Sequence, residues 1–231
     1  MKIVISVYAW LLVITGSTIV MAQGIPPNKY GLPVVDNITL YRQLVATDSS
    51  QALVDLRTFI PGIKLDIRYA TRNNFMHRKL YPHPYAYLRR AAAETLKEIQ
   101  ATLNKNGLGL LIFDAYRPYR VTEKMWEEIG DDRYVADPKK GSGHNRGVTV
   151  DLTLINLRTG KPVRMPSGYD DFTEKAHYTY LACDAEALNN RTMLRAIMEE
   201  YGFKAFETEW WHFFLKDYEK YPLMDIDPRD L

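Results

Sequence analysis

The chain has 231 residues, 46% hydrophobic and 25% charged, which supplies enough apolar material for a packed core and excludes a disordered or repetitive protein. Its 30 basic and 28 acidic residues leave a formal charge of +2, a balance that gives no support to nucleic-acid or membrane-surface binding. The single cysteine, Cys183, excludes an internal disulfide, and its apolar neighbours Tyr180, Leu181 and Ala182 suit a buried, inert thiol.

The first 22 residues differ from the rest. Lys2 precedes a mostly apolar run, Ile3 to Ile14, which resumes at Ile19 and Val20 and ends in Val20-Met21-Ala22, with a small residue where a signal peptidase reads. Gly16, Ser17 and Thr18 interrupt the run and leave it barely long enough to span a bilayer. The pattern predicts a cleaved secretory signal over 1–22, with an uncleaved membrane anchor as the alternative. Cleavage removes Lys2, leaves 29 basic against 28 acidic groups, and makes the protein an exported, periplasmic or secreted bacterial one without stable membrane association.

Residues 23–50 carry Pro26, Pro27 and Pro33 and a polar run at Thr47-Asp48-Ser49-Ser50, and read as an N-terminal arm to a main domain over 51–231. Two short strands are expected between Leu53 and Tyr69, separated by a Pro61-Gly62 turn, the second being Ile63 to Tyr69. Leu88, Ala92, Leu96, Ile99 and Leu103 keep helical spacing within Tyr85 to Asn106, and Gly107 ends that helix. Leu108 to Phe113 is an apolar run suited to a strand covered on both faces. A short helix follows Pro118 over Val121 to Ile129, another spans Leu188 to Tyr201, and Phe203 to Phe206 leads into an aromatic strand, Trp210 to Leu215. Long helices mixed with short strands and late hairpin-like connections predict an α+β fold: one domain with a central, mainly antiparallel sheet flanked by helices.

The stretch Ser142 to Leu154 carries the first chemistry. Val148, Val150, Leu152 and Leu154 alternate with Thr149, Asp151 and Thr153, so a strand is expected whose apolar side packs and whose polar side faces something wet or functional. His144 lies seven residues before Asp151, on opposite faces of a straight strand, but Gly143 and Gly147 permit a loop that folds back and brings imidazole to carboxylate. Downstream, Glu209-Trp210-Trp211-His212 offers a second imidazole and carboxylate. Catalytic zinc takes three protein ligands, and imidazole nitrogen and carboxylate oxygen both suit it. His144, Asp151 and His212 form such a set, with Glu209 placed as a base, provided that a bend or bulge near Trp210 brings residues 209 and 212 to one side. Each of these residues also has an ordinary structural reading, as a packed core histidine or a hydrogen-bonding strand aspartate. Asp114-Ala115-Tyr116-Arg117-Pro118 follows a strand end, where Arg117 is either a cation presented to a cleft or half of a surface pair with Asp114.

Ser142-x-His144-x-x-Gly147-x-x-x-Asp151, with Glu209-Trp210-Trp211-His212 and Asp114-Ala115-Tyr116-Arg117-Pro118, resembles the D-alanyl-D-alanine dipeptidases, zinc DD-peptidases that include the vancomycin-resistance dipeptidases. The resemblance runs from about Leu65, through Asp66-Ile67-Arg68-Tyr69-Ala70-Thr71, to about Leu215, and includes Asn190-Arg191 and Gly202-Phe203. The double tryptophan is its most specific part; Thr149 departs from it, because the family commonly has Ala there. The resemblance implies one Zn2+ per chain held by His144, Asp151 and His212, with the metal site at the sheet. It further implies Glu209 as general base and acid, Arg117 as stabiliser of the tetrahedral intermediate, and a small closed pocket for a D,D-dipeptide, with Ser142, Tyr69 and Asp170 near the substrate. The alternatives are a DD-carboxypeptidase or peptidoglycan endopeptidase acting on longer wall peptides, or a secreted, non-catalytic wall-peptide binding module.

Protein isolated from its native cell is expected to begin at Gln23. Mass spectrometry finding Met1 intact would replace the cleaved signal with the anchor.

Overall fold

The computed structural model describes residues 24–231; the expected signal over 1–22 lies outside the described residues. In chain order the elements are β1 (Val34–Val35), α1 (Ile38–Thr47), β2 (Leu53–Asp55), α2 (Leu56–Phe59), β3 (Lys64–Leu65), β4 (Tyr87–Arg89) and α3 (Arg90–Asn104). They continue with β5 (Leu108–Asp114), α4 (Tyr119–Ile129), β6 (Thr149–Asn156), β7 (Lys161–Pro162), α5 (Ala185–Glu200), β8 (Phe203–Phe206), β9 (Glu209–Leu215) and β10 (Leu223–Met224).

The central sheet runs β3-β5-β6-β9-β8, with β7 pairing the end of β6. Only β3–β5 is parallel within it; β5–β6, β6–β9, β6–β7 and β8–β9 are antiparallel, giving the α+β architecture the sequence predicts. Helix α3 packs Ala92, Leu96, Ile99 and Leu103 into the main core, which its 3.6-residue spacing dictates. Its Gln100 Oε1 accepts from the Leu110 backbone N–H of β5 at 2.8 Å, fixing helix to sheet. Helix α5 starts at an Asp184 cap, whose side chain accepts from the Ala187 N–H, and covers β8.

Several boundaries differ from the expected ones. Helix α3 begins at Arg90 instead of Tyr85, because Tyr87–Arg89 pair with β2 first. The strand expected over Ile63 to Tyr69 shortens to Lys64–Leu65, and the chain then closes a 3-10 turn at Arg68–Ala70. The arm holds a helix that its prolines obscured: α1 is capped by Asn37, and Tyr41 Oη accepts from Leu53 N–H at 2.7 Å. It also supplies β1, which runs parallel to β10 near the C-terminus. Strand β6 is buried on both faces, with Thr149, Asp151 and Thr153 as covered as Val150 and Leu152, so its polar side faces the protein interior, where Asp151 borders a cavity. Cys183 is half-buried, outside any helix or strand, a correction to the buried thiol.

The turn before β6 depends on two glycines for different reasons. Gly147 adopts φ +68°, the left-handed region that favours glycine, and so lets the chain reverse into the strand. Gly143 has an ordinary backbone but lies against β6, where a Cβ would stand 2.3 Å from Thr149 Oγ1. Thr149 Oγ1 makes no hydrogen bond among the described residues. Gly143→Ala is therefore expected to lower stability by about 1–3 kcal/mol through overpacking, and Thr149→Ala, which removes the clashing hydroxyl, to restore most of it. Thermal denaturation of the two single variants and the double variant checks this.

Candidate active site

Residues directly opposite one another on adjacent strands share a face. Asp151 of β6 pairs with Asp114 of β5 on one side and with His212 of β9 on the other, so the three form one row across the middle of the sheet. His144 joins them from the loop, in a 3-10 turn over His144–Arg146. That turn is pinned to the segment after β5: Arg117 N–H donates to His144 O, and Asn145 Nδ2 donates to Arg117 O and Thr122 Oγ1. The fold-back expected from the glycines is present, with His144 Nε2 3.3 Å from Asp151 Oδ1.

The bend required between Glu209 and His212 is a bulge in β9. Ala205 lies opposite Phe213, whereas the next residue, Phe206, lies opposite Glu209, so Trp210, Trp211 and His212 are extra to the β8–β9 ladder, while His212 keeps its place opposite Asp151 of β6. Trp210 Nε1 donates to Ser167 Oγ at 2.9 Å and Tyr178 Oη donates to Trp210 O at 3.1 Å, fixing the bulge at both its indole and its backbone. Glu209 Oε2 thereby comes within 3.7 Å of His212 Nδ1.

The donor atoms of His144, Asp151 and His212 lie within 4.8 Å of one another. Three of them form a tight triangle: His144 Nε2–Asp151 Oδ1 3.3 Å, His212 Nδ1–Asp151 Oδ1 3.0 Å and His144 Nε2–His212 Nδ1 3.4 Å. A tetrahedral ion with bonds of about 2.0–2.1 Å separates its ligands by about 3.3 Å, so the triangle fits zinc. The outer contacts fit as well. His144 Nδ1 lies 2.7 Å from Ala115 O, and because a carbonyl can only accept, Nδ1 carries the proton and Nε2 offers its lone pair to the cluster. Tyr169 Oη donates to Asp151 Oδ2 at 2.9 Å, leaving Oδ1 for the cluster. Burial by itself would raise the Asp151 carboxyl, but His144 and His212 outweigh it and hold the group well below the usual carboxylate range.

A cavity of about 540 Å³ opens over this cluster, lined by Tyr69, Arg117, Ser142, Asp170, Glu209 and Trp211 among others. Burial pushes the Glu209 carboxyl up to about 7, with His212 opposing and Asp151 reinforcing the shift. Asp170 is raised to about 7 by the same burial and by Asp151; its Oδ1 accepts from Tyr69 Oη at 3.2 Å and its Oδ2 from Phe75 N–H. Ser142 Oγ accepts from His144 N–H at 3.2 Å. Every site residue expected from the sequence therefore lines one cavity.

Arg117 does pair with Asp114, but the pair is buried and not on the surface: Nε and Nη2 reach Asp114 Oδ2 at 3.0 and 2.7 Å, with the two residues 7% and 1% exposed. The guanidinium also lies over the Tyr69 ring, 5.0 Å from its centroid. The pair and the cleft position were opposed readings of Arg117, and the residue satisfies both. Sequence reasoning missed Tyr169 and Tyr81, whose hydroxyls hold Asp151 and Asp114. Neither stands in a period or spacing that marks it, although Tyr169 adjoins Asp170.

Three convergent donors with a cavity on one side and a buried carboxyl near neutrality are the arrangement that a metal centre of the catalytic type requires. Residues 49–225 match the family described as D-ala-D-ala dipeptidase, and the chain belongs to that family. It is similar to the D-alanyl-D-alanine dipeptidase of Escherichia coli, 34% identical over 172 residues, which cover 74% of this chain and 89% of the relative. The enzymes of that name from Enterococcus faecalis and Streptomyces coelicolor are 32% and 33% identical, covering 72% and 68% of this chain and 92% and 88% of theirs.

Removing one partner of a buried ion pair leaves the other charge unmatched, which costs about 3–5 kcal/mol. Asp114→Ala is expected to lower unfolding free energy by that amount, measured by chemical denaturation; a loss below about 1 kcal/mol would be the signature of an exposed pair.

Proposed function

We propose that this chain hydrolyses D-alanyl-D-alanine to two molecules of D-alanine, using one zinc ion held by His144, Asp151 and His212. The observation that carries the proposal is the triangle of three donors at 3.0–3.4 Å beside a buried Glu209, in a protein of the D-Ala-D-Ala dipeptidase family. Zinc, when bound, supplies Lewis acidity that lowers the pKa of water and polarises a peptide carbonyl.

The chain's own residues do the rest. Glu209, its carboxyl raised to about 7 by burial, is matched to taking a proton from water and returning it to the departing amine. Arg117, held by Asp114 and stacked on Tyr69, faces the charge that develops on the carbonyl oxygen. Asp170, anchored by Tyr69 and the Phe75 N–H, offers a carboxylate to the substrate ammonium, a contact that favours its ionised form. Ser142 lies beside His144 with a hydroxyl proton available to a substrate oxygen. An exported enzyme of this kind acts on wall fragments outside the cytoplasm, which favours turnover of such fragments as its role.

Metal content and hydrolysis of D-alanyl-D-alanine, measured on two variants, test these assignments. His212→Ala is expected to lose zinc and activity together. Glu209→Gln is expected to keep zinc and bind the dipeptide but to turn it over orders of magnitude more slowly, because the amide cannot accept the proton. Hydrolysis retained in Glu209→Gln would remove its role, and a preference of the wild type for longer peptides would make it a carboxypeptidase or endopeptidase.

A further inference from the structure

Arg117 makes an unusual contact with its carboxylate. Arginine beside aspartate commonly pairs fork to fork, two N–H groups on two oxygens. Here Nε and Nη2 both converge on Oδ2 of Asp114, at 3.0 and 2.7 Å. The other oxygen is occupied: Tyr81 Oη donates to Asp114 Oδ1 at 2.7 Å, and no other partner of Oδ1 occurs among the described residues.

Tyr81 is built to hold that bond. It is 1% exposed, its ring stacks on Tyr85 at 5.0 Å and meets the Tyr69 edge at 5.9 Å, and its backbone N–H donates to Tyr69 O at 2.9 Å. Burial and the neighbouring Asp114 carboxylate raise its phenol well above the usual value, so it remains a neutral donor. Asp114 in turn sits in the sheet row beside Asp151, and the backbone there is fixed by strand pairing.

We propose that Tyr81 is a positioning residue, which aims Arg117 into the cavity by withholding one oxygen of Asp114 from it. With Oδ1 held, the carboxylate cannot rotate to receive the fork, and the guanidinium stays offset over the Tyr69 ring with Nη1 as its remaining edge. Without the phenol hydroxyl, Asp114 is free to turn both oxygens to Arg117, drawing it out of line with the reacting carbonyl. The inference rests on the reading of Arg117 as the group that stabilises the developing oxyanion.

The test is a double-variant cycle on the zinc-loaded enzyme, with Tyr81→Phe, Arg117→Ala and the two combined, assayed on D-alanyl-D-alanine at a temperature below all the melting points. Arg117→Lys takes the place of the alanine variant if the latter does not fold. Tyr81→Phe is expected to keep its zinc and its KM and to lose roughly tenfold in kcat, the lower end of losses for groups that act through a neighbour. Arg117→Ala is expected to lose on the order of 10²–10³ in kcat, and adding Tyr81→Phe to it should cost nothing more. Wild-type kcat in Tyr81→Phe would overturn the proposal while leaving Arg117 in place. A tenfold loss that recurs undiminished without Arg117 would also overturn it, by giving Tyr81 a structural role. Wild-type turnover in Arg117→Ala would overturn the reading of Arg117 and the inference with it.

Discussion

Asp151 is a carboxylate on the middle strand of a sheet covered on both faces, 3% exposed, and a charge in that position costs several kcal/mol unless it is matched. The surrounding architecture supplies the match. His212 arrives from the neighbouring strand, His144 from a folded-back turn, and the Tyr169 hydroxyl from the loop beyond β6, so that both oxygens of Asp151 are engaged. Two distortions of regular structure complete the site: a glycine-dependent turn before β6, which carries His144, and a bulge of three residues in β9, which brings Glu209 beside His212. Cross-strand pairing of His212 with Asp151 and the folded-back turn of His144 bring the three donors to the separations of a single ion.

A second buried carboxylate stands next to the first. Asp114 is the cross-strand partner of Asp151, and two like charges in adjacent positions destabilise a sheet. The structure resolves the conflict by giving each its own counter-groups, Arg117 and Tyr81 for one, the two histidines and Tyr169 for the other. Glu209 and Asp170 have no such full complement, and burial leaves both near 7, close to the pH at which a proton can be taken and returned. The cavity is thus bordered by one carboxylate held ionised by its partners, Asp151, and by two poised by burial, Glu209 and Asp170.

Bracing of the His144 turn extends to both ends of the described chain. Arg89 is fully buried without a carboxylate partner among the described residues, and burial lowers its guanidinium to about 10. Its side chain donates to Gln51 O and Oε1, to Arg146 O and to Pro222 O, while its N–H donates to Gly147 O. One side chain therefore ties the start of the main domain at Gln51, the turn that carries His144 and the approach to β10. A guanidinium suits this place because its five N–H groups can reach several carbonyls at once.

What the sequence determined by itself was periodic or local. The spacing of Leu96, Ile99 and Leu103 marked α3, the apolar run at Leu108 marked β5, and alternation marked β6, because burial of one face imposes the period of the element on the residues. The quoted motifs also picked out His144, Asp151, Glu209, His212 and Arg117, which the fold brings to one cavity. Tertiary structure decided what depends on distant strands meeting. The β9 bulge follows from pairing with β8, the burial of the polar side of β6 from what packs over the sheet, and the burial of the Asp114–Arg117 pair from the tyrosines around it. Tyr81 and Tyr169 were illegible for the same reason. A phenol that completes a carboxylate's hydrogen bonds from 33 or 18 residues away leaves no local pattern, only a place in space.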